Sequence, residues 1–296
     1  MIHSIDLNFQ GIKKAIASYL IETKAGPILV ETGPHSTYEH LKEGIKKTGY
    51  DISQIKHVFL SHIHLDHAGA AWALAESGAK IYVHPFGARN MEDPTRLMES
   101  ATRIYGDKMD TLWGTMKKIP AELLYQVEDQ EVFDLGDTTL KAWHTPGHAK
   151  HHIAWQINDI VFTGDVAGVK IGDGPVMPPC PPPDINIEDW KNSIQLLKKI
   201  QPAQLYLTHF NAISDIEGHL TALENILDDW ASWIKEKWEA NESAEEVTPK
   251  FMEYTAQQLR NQGLSDQEIE TYEAANPSWM SVAGLMRYWT KKSQAE

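Results

Sequence analysis

A single cysteine, Cys180, stands in 296 residues, so no intrachain disulfide can form and the secreted scaffold stapled by disulfides is excluded. Long apolar runs are missing too: none approaches the roughly 20 residues a bilayer-spanning helix needs, so no membrane association is expected. The opening residues Met1-Ile2-His3-Ser4-Ile5-Asp6 hold neither a basic cluster nor an apolar core; no signal peptide is expected, and the protein is read as cytoplasmic. Positive charge is also scarce. Lysine and arginine total 27 against 41 acidic residues, a net charge of -14, which argues against nucleic acid as a partner because phosphate backbones attract basic surfaces. What is present is ordinary for a globular protein, 42% hydrophobic and 23% charged residues, which argues against wholesale disorder. The length permits one large domain or two ordinary ones, at about 100 to 200 residues each.

The most concentrated chemistry is Ser61-His62-Ile63-His64-Leu65-Asp66-His67, directly after the apolar run Val58-Phe59-Leu60. Imidazole is the commonest protein ligand for zinc and similar ions, and carboxylate oxygens complete such sites. Strand alternation would place His62, His64 and Asp66 on one side while the strand lasts, and a turn at Leu65 to Asp66 would swing His67 toward a second ion. One short segment would then feed two metals.

These residues resemble the His-x-His-x-Asp-His signature of the metallo-β-lactamase-fold hydrolases. Three later segments are similar to the family's remaining motifs and stand in its order: Thr145-Pro146-Gly147-His148, Phe162-Thr163-Gly164-Asp165, and Leu205-Tyr206-Leu207-Thr208-His209. The resemblance implies an α/β fold, a four-layer αββα sandwich, covering about residues 1–240 as a catalytic domain, with a helical extension over 241–296. It also implies the metal ligands His62, His64, Asp66, His67, His148, Asp165 and His209. Glu31 stands where the family usually has an aspartate before Thr-Gly; the resemblance implies that it holds a ligand histidine, one methylene farther out.

Turn residues organise the rest of the chain. Gly26-Pro27 separates strands at 18–22 and 28–31, and Gly136-Asp137 separates strands at 131–135 and 138–143. Helices are predicted over 36–48, over 68–77 and over 187–199, the last behind Asn186 as a cap. Residues 85–126 show no clear strand and carry a stripe of Met, Tyr and Trp, which reads as a helical insertion near the site. The stripe serves either as an apolar substrate wall or as the insertion's own core. Pro146-Gly147 imposes a tight turn able to aim His148 at a metal. Of its neighbours, His152 is read as touching a ligand or substrate, and His144 and His151 as structural; His84 is either substrate-facing or a capped loop residue.

The Pro-rich run 172–183 reads as stiff and extended, placed over the mouth of the site, and its Cys180 as inert. From Ile216 to Trp238 apolar residues recur every three to four positions, an amphipathic helix. Residues 239–246 read as a linker, and the helices after it as packing on the main domain or as a homodimer contact.

Two divalent ions are expected, zinc first, with iron or manganese also compatible with a nitrogen and oxygen ligand set. Asp165 has two oxygens able to bridge them, and Asp66 is placed to orient a hydroxide and carry its proton to the leaving group. The expected reaction is metal-assisted hydrolysis of a small acyl substrate, a carboxylic thioester or ester including lactones. The alternatives are phosphodiester hydrolysis, a mononuclear iron persulfide dioxygenase, and a metal-binding protein without chemistry.

Overall fold

The computed structural model describes residues 1–210 and 212–295. It divides into two compact units, one of residues 1–144 and 151–164, the other of residues 145–150 and 165–296.

The first unit opens with strands β1 (Ile2–Asp6), β2 (Ala17–Ile21) and β3 (Ile28–Val30), then helix α1 (Tyr38–Lys47) and β4 (His57–Phe59). Two short helices, α2 (Leu65–Ala68) and α3 (Ala71–Glu76), lead to β5 (Lys80–Val83). Helices α4 (Pro85–Glu92), α5 (Thr95–Tyr105) and α6 (Met109–Leu112) follow, and β6 (Leu124–Gln126) closes a sheet in the order β1 to β6. Its first three strands are antiparallel and its last four parallel. An antiparallel meander follows: β7 (Val132–Asp134), β8 (Thr139–His144), β9 (Ile153–Ile157) and β10 (Ile160–Gly164).

Aromatic residues lock the two sheets face to face. Phe59 meets Trp155 at 5.0 Å and Phe133 at 5.7 Å between ring centroids, and Tyr19 meets Phe162 at 5.1 Å. The Trp155 indole N–H, buried with its ring, is satisfied by the Leu60 carbonyl at 3.0 Å. Ile5 pairs across the ladder with Ser18 and so points away from Tyr19. On that opposite face α1 packs, with Gly44 set against Ile5, giving helix, sheet and sheet in sequence.

Two expectations change here. The predicted strand into the histidine motif stops at Phe59, and His62 and His64 lie in the connection before α2 rather than alternating along a ladder. The last ladder-like bond is Leu60 N–H to Tyr82 O; His64 then takes φ -61 and ψ 152 as the residue before the helix, which leaves no strand for alternation to act on. Within 85–126 the three-residue β6 belongs to the first sheet, paired with β5. At that length it has no periodicity to read.

The second unit carries α7 (Ile187–Ile200), the hairpin β11 (Gln204–Leu207) and β12 (Ala212–Ile213), then α8 (Ile216–Glu239), α9 (Ala244–Asn261), α10 (Asp266–Ala275) and α11 (Ser278–Ala295). Asn186 caps α7 through its side-chain oxygen, and Ser243 with Glu246 and Ser265 with Glu268 form capping boxes on α9 and α10. The apolar stripe of α8 is buried, with Trp230 edge-on to Phe251 of α9 at 5.0 Å. Among the described residues no helix is long and apolar enough to cross a membrane.

Candidate metal centre

In the first unit the histidine motif closes on itself. His62 Nε2 lies 2.9 Å from His64 Nδ1, and the His62 and His67 rings are 4.0 Å apart. His67 Nε2 lies 3.6 Å from an Asp66 oxygen. His62 and His67 are fully buried while Asp66 is partly exposed. Two ring nitrogens at 2.9 Å hold one proton between them or converge on a shared cation; nitrogen and oxygen donors so arranged fit a borderline divalent metal.

The residues behind these rings fix their direction. Ser61 Oγ is hydrogen-bonded to His62 Nδ1 at 2.9 Å. Glu31 accepts the Ser61 N–H at 3.2 Å and lies 3.4 Å from His67 Nδ1 with the same oxygen, so its extra methylene does reach the motif. To do so its backbone sits at φ 67, a left-handed conformation that costs a non-glycine residue about 1 kcal/mol or more. Ser61 escaped the sequence reading because a serine beside a histidine motif has no distinguishing spacing. Carboxylate and hydroxyl partners of this kind hold the tautomer and orientation of metal-ligating imidazoles.

Other histidines crowd the same region of this unit. His152 is fully buried, its ring 5.1 Å from that of His62. His151, read from sequence as structural, stands 6.1 Å from His62 and 5.7 Å from His64, nearer the motif than expected. His144 donates through Nε2–H to Val127 O at 3.0 Å and through its backbone N–H to Asp129 at 2.8 Å. Tyr105, at the end of α5, is a further residue that sequence alone did not single out. Burial, then the Asp66 charge, pushes its phenol above the usual range. Its ring meets Trp113 at 5.1 Å, and Trp113 stacks on Phe9 at 5.5 Å.

His84 resolves into a capping role. Its Nδ1 accepts the Phe86 N–H at 3.1 Å, the first turn of α4. Burial, then the neighbouring His144 and His151, pushes its pKa from 6.5 down to about 3. Because the folded value lies below the unfolded one, the unfolded chain takes up this proton first. Stability from His84 is therefore full above 6.5 and is lost as pH falls toward about 3. His84→Asn, which keeps an oxygen to cap Phe86, is expected to flatten the acid limb of stability in that window, as read by denaturant titration at successive pH values. An unchanged limb would place the titrating group elsewhere.

In the second unit Asp165 has an imidazole on each oxygen. His148 Nε2 is 3.3 Å from Oδ2 and His209 Nε2 is 3.5 Å from Oδ1, all three residues buried. His148 Nδ1 lies 2.8 Å from the Pro179 carbonyl. A carbonyl only accepts, so Nδ1 carries a proton and Nε2 is the nitrogen turned toward Asp165. The turn before His148 depends on Gly147, at φ +138, where a Cβ would fall 2.2 Å from Trp190 Cα and 2.3 Å from its Cβ. The Trp190 indole N–H is tied to Val166 O at 2.8 Å, so the tryptophan has little room to move. Gly147→Ala is accordingly expected to destabilise the fold by about 3 kcal/mol or more, combining positive-φ strain with overpacking; a melting temperature equal to that of the parent would show that the turn relaxes freely.

Residues grouped so that they are able to hold a metal ion are thus His62, His64, Asp66 and His67 in the first unit and His148, Asp165 and His209 in the second. A family model described as the metallo-β-lactamase superfamily matches residues 13–209. The chain belongs to the metallo-β-lactamase superfamily. Among its relatives is the metallo-β-lactamase-fold protein ST1585 of Sulfurisphaera tokodaii, 31% identical over 183 residues, which are 57% of this chain and 66% of ST1585. The solved structure of ST1585 matches with a TM-score of 0.63, 26% identity, and coverage of 74% of this chain and 84% of that one. A fungal protein of Cryptosporiopsis named atrochrysone carboxyl ACP thioesterase dmxR1 is 23% identical over 207 residues, 69% of this chain and 52% of its own length. The chain therefore spans about half to two thirds of the length of these curated relatives. The solved structure of the metallo-β-lactamase family protein TTHA1429 of Thermus thermophilus shares the fold over 99% of this chain and 93% of its own, with a TM-score of 0.70 at 16% identity. The likeness in fold to that structure thus runs through the C-terminal helices.

Proposed function

We propose that the protein is a metal-dependent hydrolase that cleaves a carboxylic thioester or ester, lactones included. The observation that carries this reading is Asp165, a buried carboxylate with His148 facing one oxygen and His209 the other. A carboxylate so flanked suits two cations, each served by a different imidazole, and two ions about 3.5 to 4 Å apart are what two-metal hydrolysis uses. The residues that would hold the metal are His62, His64, Asp66 and His67 in the first unit and His148, Asp165 and His209 in the second. Zinc is the first choice for this donor set, with iron or manganese compatible.

When bound, such ions supply Lewis acidity, lowering the pKa of water from 15.7 to about 7 and polarising a carbonyl oxygen. The chain's own residues supply the rest. Glu31, Ser61 and the Pro179 carbonyl hold imidazoles in one orientation, so little reorganisation is needed during reaction. Asp66, partly exposed beside buried histidines, is the group placed to take a proton from the attacking water and pass it to the leaving group. The Tyr105 and Trp113 rings of the insertion, 5.1 Å apart, offer an aromatic surface on which an apolar acyl group can lie.

The name of dmxR1 supports the acyl class, with a match over about half of that protein, and the net charge of -14 disfavours polyanionic substrates. The test is a substrate panel of matched lactone, ester, thioester and phosphodiester compounds on zinc-reconstituted protein, with metal content measured on the same sample. Carbonyl hydrolysis at about two metals per chain is expected. Exclusive phosphodiester cleavage, or oxygen consumption with a persulfide at one iron per chain, would replace the reading.

A further inference from the structure

Six of the nine residues 175–183 are proline. Proline has no amide hydrogen to give a ladder, so this strap is placed mainly by donors that reach its carbonyls from elsewhere. The C-terminal helices provide them. The Ile171 N–H donates to Tyr272 Oη at 3.1 Å, and Tyr272 Oη donates to Pro175 O at 2.7 Å. Asn276 Nδ2 donates to Pro178 O at 3.2 Å, and the Cys180 N–H donates to Ser281 Oγ at 3.3 Å. Arg287 Nε and Lys291 Nζ donate to Pro183 O at 3.3 and 2.6 Å. Gly284 of α11 passes so close that a Cβ there would fall 1.9 Å from Cys180 O. Between the Pro178 carbonyl, held by Asn276, and the Cys180 N–H, held by Ser281, the Pro179 carbonyl accepts from His148 Nδ1 at 2.8 Å.

We infer that α10 and α11 are a brace for His148: they fix the strap, and the strap's Pro179 carbonyl fixes the proton position and direction of the imidazole. Tyr272, Asn276 and Ser281 are then positioning residues that act on the metal centre without touching it. The inference rests on the proposed function only in taking His148 as a metal ligand. It gives the C-terminal helices a role that composition alone left as packing.

The test compares the full-length parent with the Asn276→Ala, Ser281→Ala double variant and with Tyr272→Phe, which keeps the ring and removes only the hydroxyl. The first readout is the imidazole nitrogen spectrum of His148 in metal-free protein, which reports which nitrogen carries the proton. The second is zinc affinity by competition with a chelator. Loss of a partner behind a metal ligand typically costs 10- to 100-fold in affinity, and a fall of that order is expected, together with loss of the single Nδ1–H signature. Leu41→Ala, in the buried face of α1 in the first unit, serves as a control for lost stability and is expected to leave both readouts unchanged. Strap variants with the parent's His148 spectrum and zinc affinity would overturn the brace, as would a control that lowers both equally. If the double variant does not fold, Tyr272→Phe alone decides between these results. Absence of hydrolysis by the parent across the substrate panel would remove the proposed function and leave the His148 spectrum standing, so the two failures are distinguishable.

Discussion

Asp165→Asn is expected to lower turnover on the order of a thousandfold and to reduce bound metal below two per chain. The side chain keeps its size, so the buried space beside His148 and His209 stays filled, but it loses the charge and one of its two acceptor oxygens. Asp165 faces a histidine with each oxygen, so an amide, whose nitrogen only donates, turns a donor group toward one of them. Lewis-acid stabilisation of the reacting carbonyl is worth several kcal/mol, and each 1.36 kcal/mol is tenfold in rate, which sets the scale of the loss. Metal content by elemental analysis and rate on the best panel substrate are to be measured on the same preparation. Full turnover with two metals retained would mean that Asp165 does not bridge. Loss of both metals with an unchanged melting temperature would assign it a larger share of affinity than a shared ligand should have.

How much of this was legible beforehand depended on which level carried the signal. Strands bounded by Gly-Pro, Gly-Asp and Asn-Pro punctuation stand where those breakers place them: β2 and β3 about Gly26-Pro27, β7 and β8 about Gly136-Asp137, and the break between α10 and α11 at Asn276-Pro277. The histidine motif was legible as chemistry and misread as geometry. Alternation assumes a ladder, and the ladder ends at Phe59, after which His62 and His64 meet through a loop. Long-range partners had no local signature. The Pro179 carbonyl reaches His148 only because of tertiary packing, and the contributing atom is backbone, to which residue type is silent. Cys180 shows the opposite case. Read as inert because it stands alone, it is fully buried, and burial pushes its thiol above the usual range, so it holds little thiolate.

The second large effect separates two histidines four residues apart. His148→Ala is expected to remove one metal per chain and about a hundredfold or more of turnover, while His144→Ala keeps both metals. The reason lies in where each ring spends its proton. His148 gives Nδ1–H to Pro179 O, which leaves Nε2 as the nitrogen available to a metal. His144 gives Nε2–H to Val127 O while its backbone N–H is taken by Asp129, and its ring lies 4.1 Å from His84, whose own Nδ1 caps α4. Its loss therefore falls on packing between β8 and the start of α4, at about 1 to 2 kcal/mol for a hydrogen bond and its filled space. The pair is read by metal stoichiometry and melting temperature together: His148→Ala should change the first more than the second, and His144→Ala the reverse. Metal loss at His144 with retention at His148 would mean that the Pro146-Gly147 turn presents a different ring to the metal, and the ligand set would be rebuilt from β8.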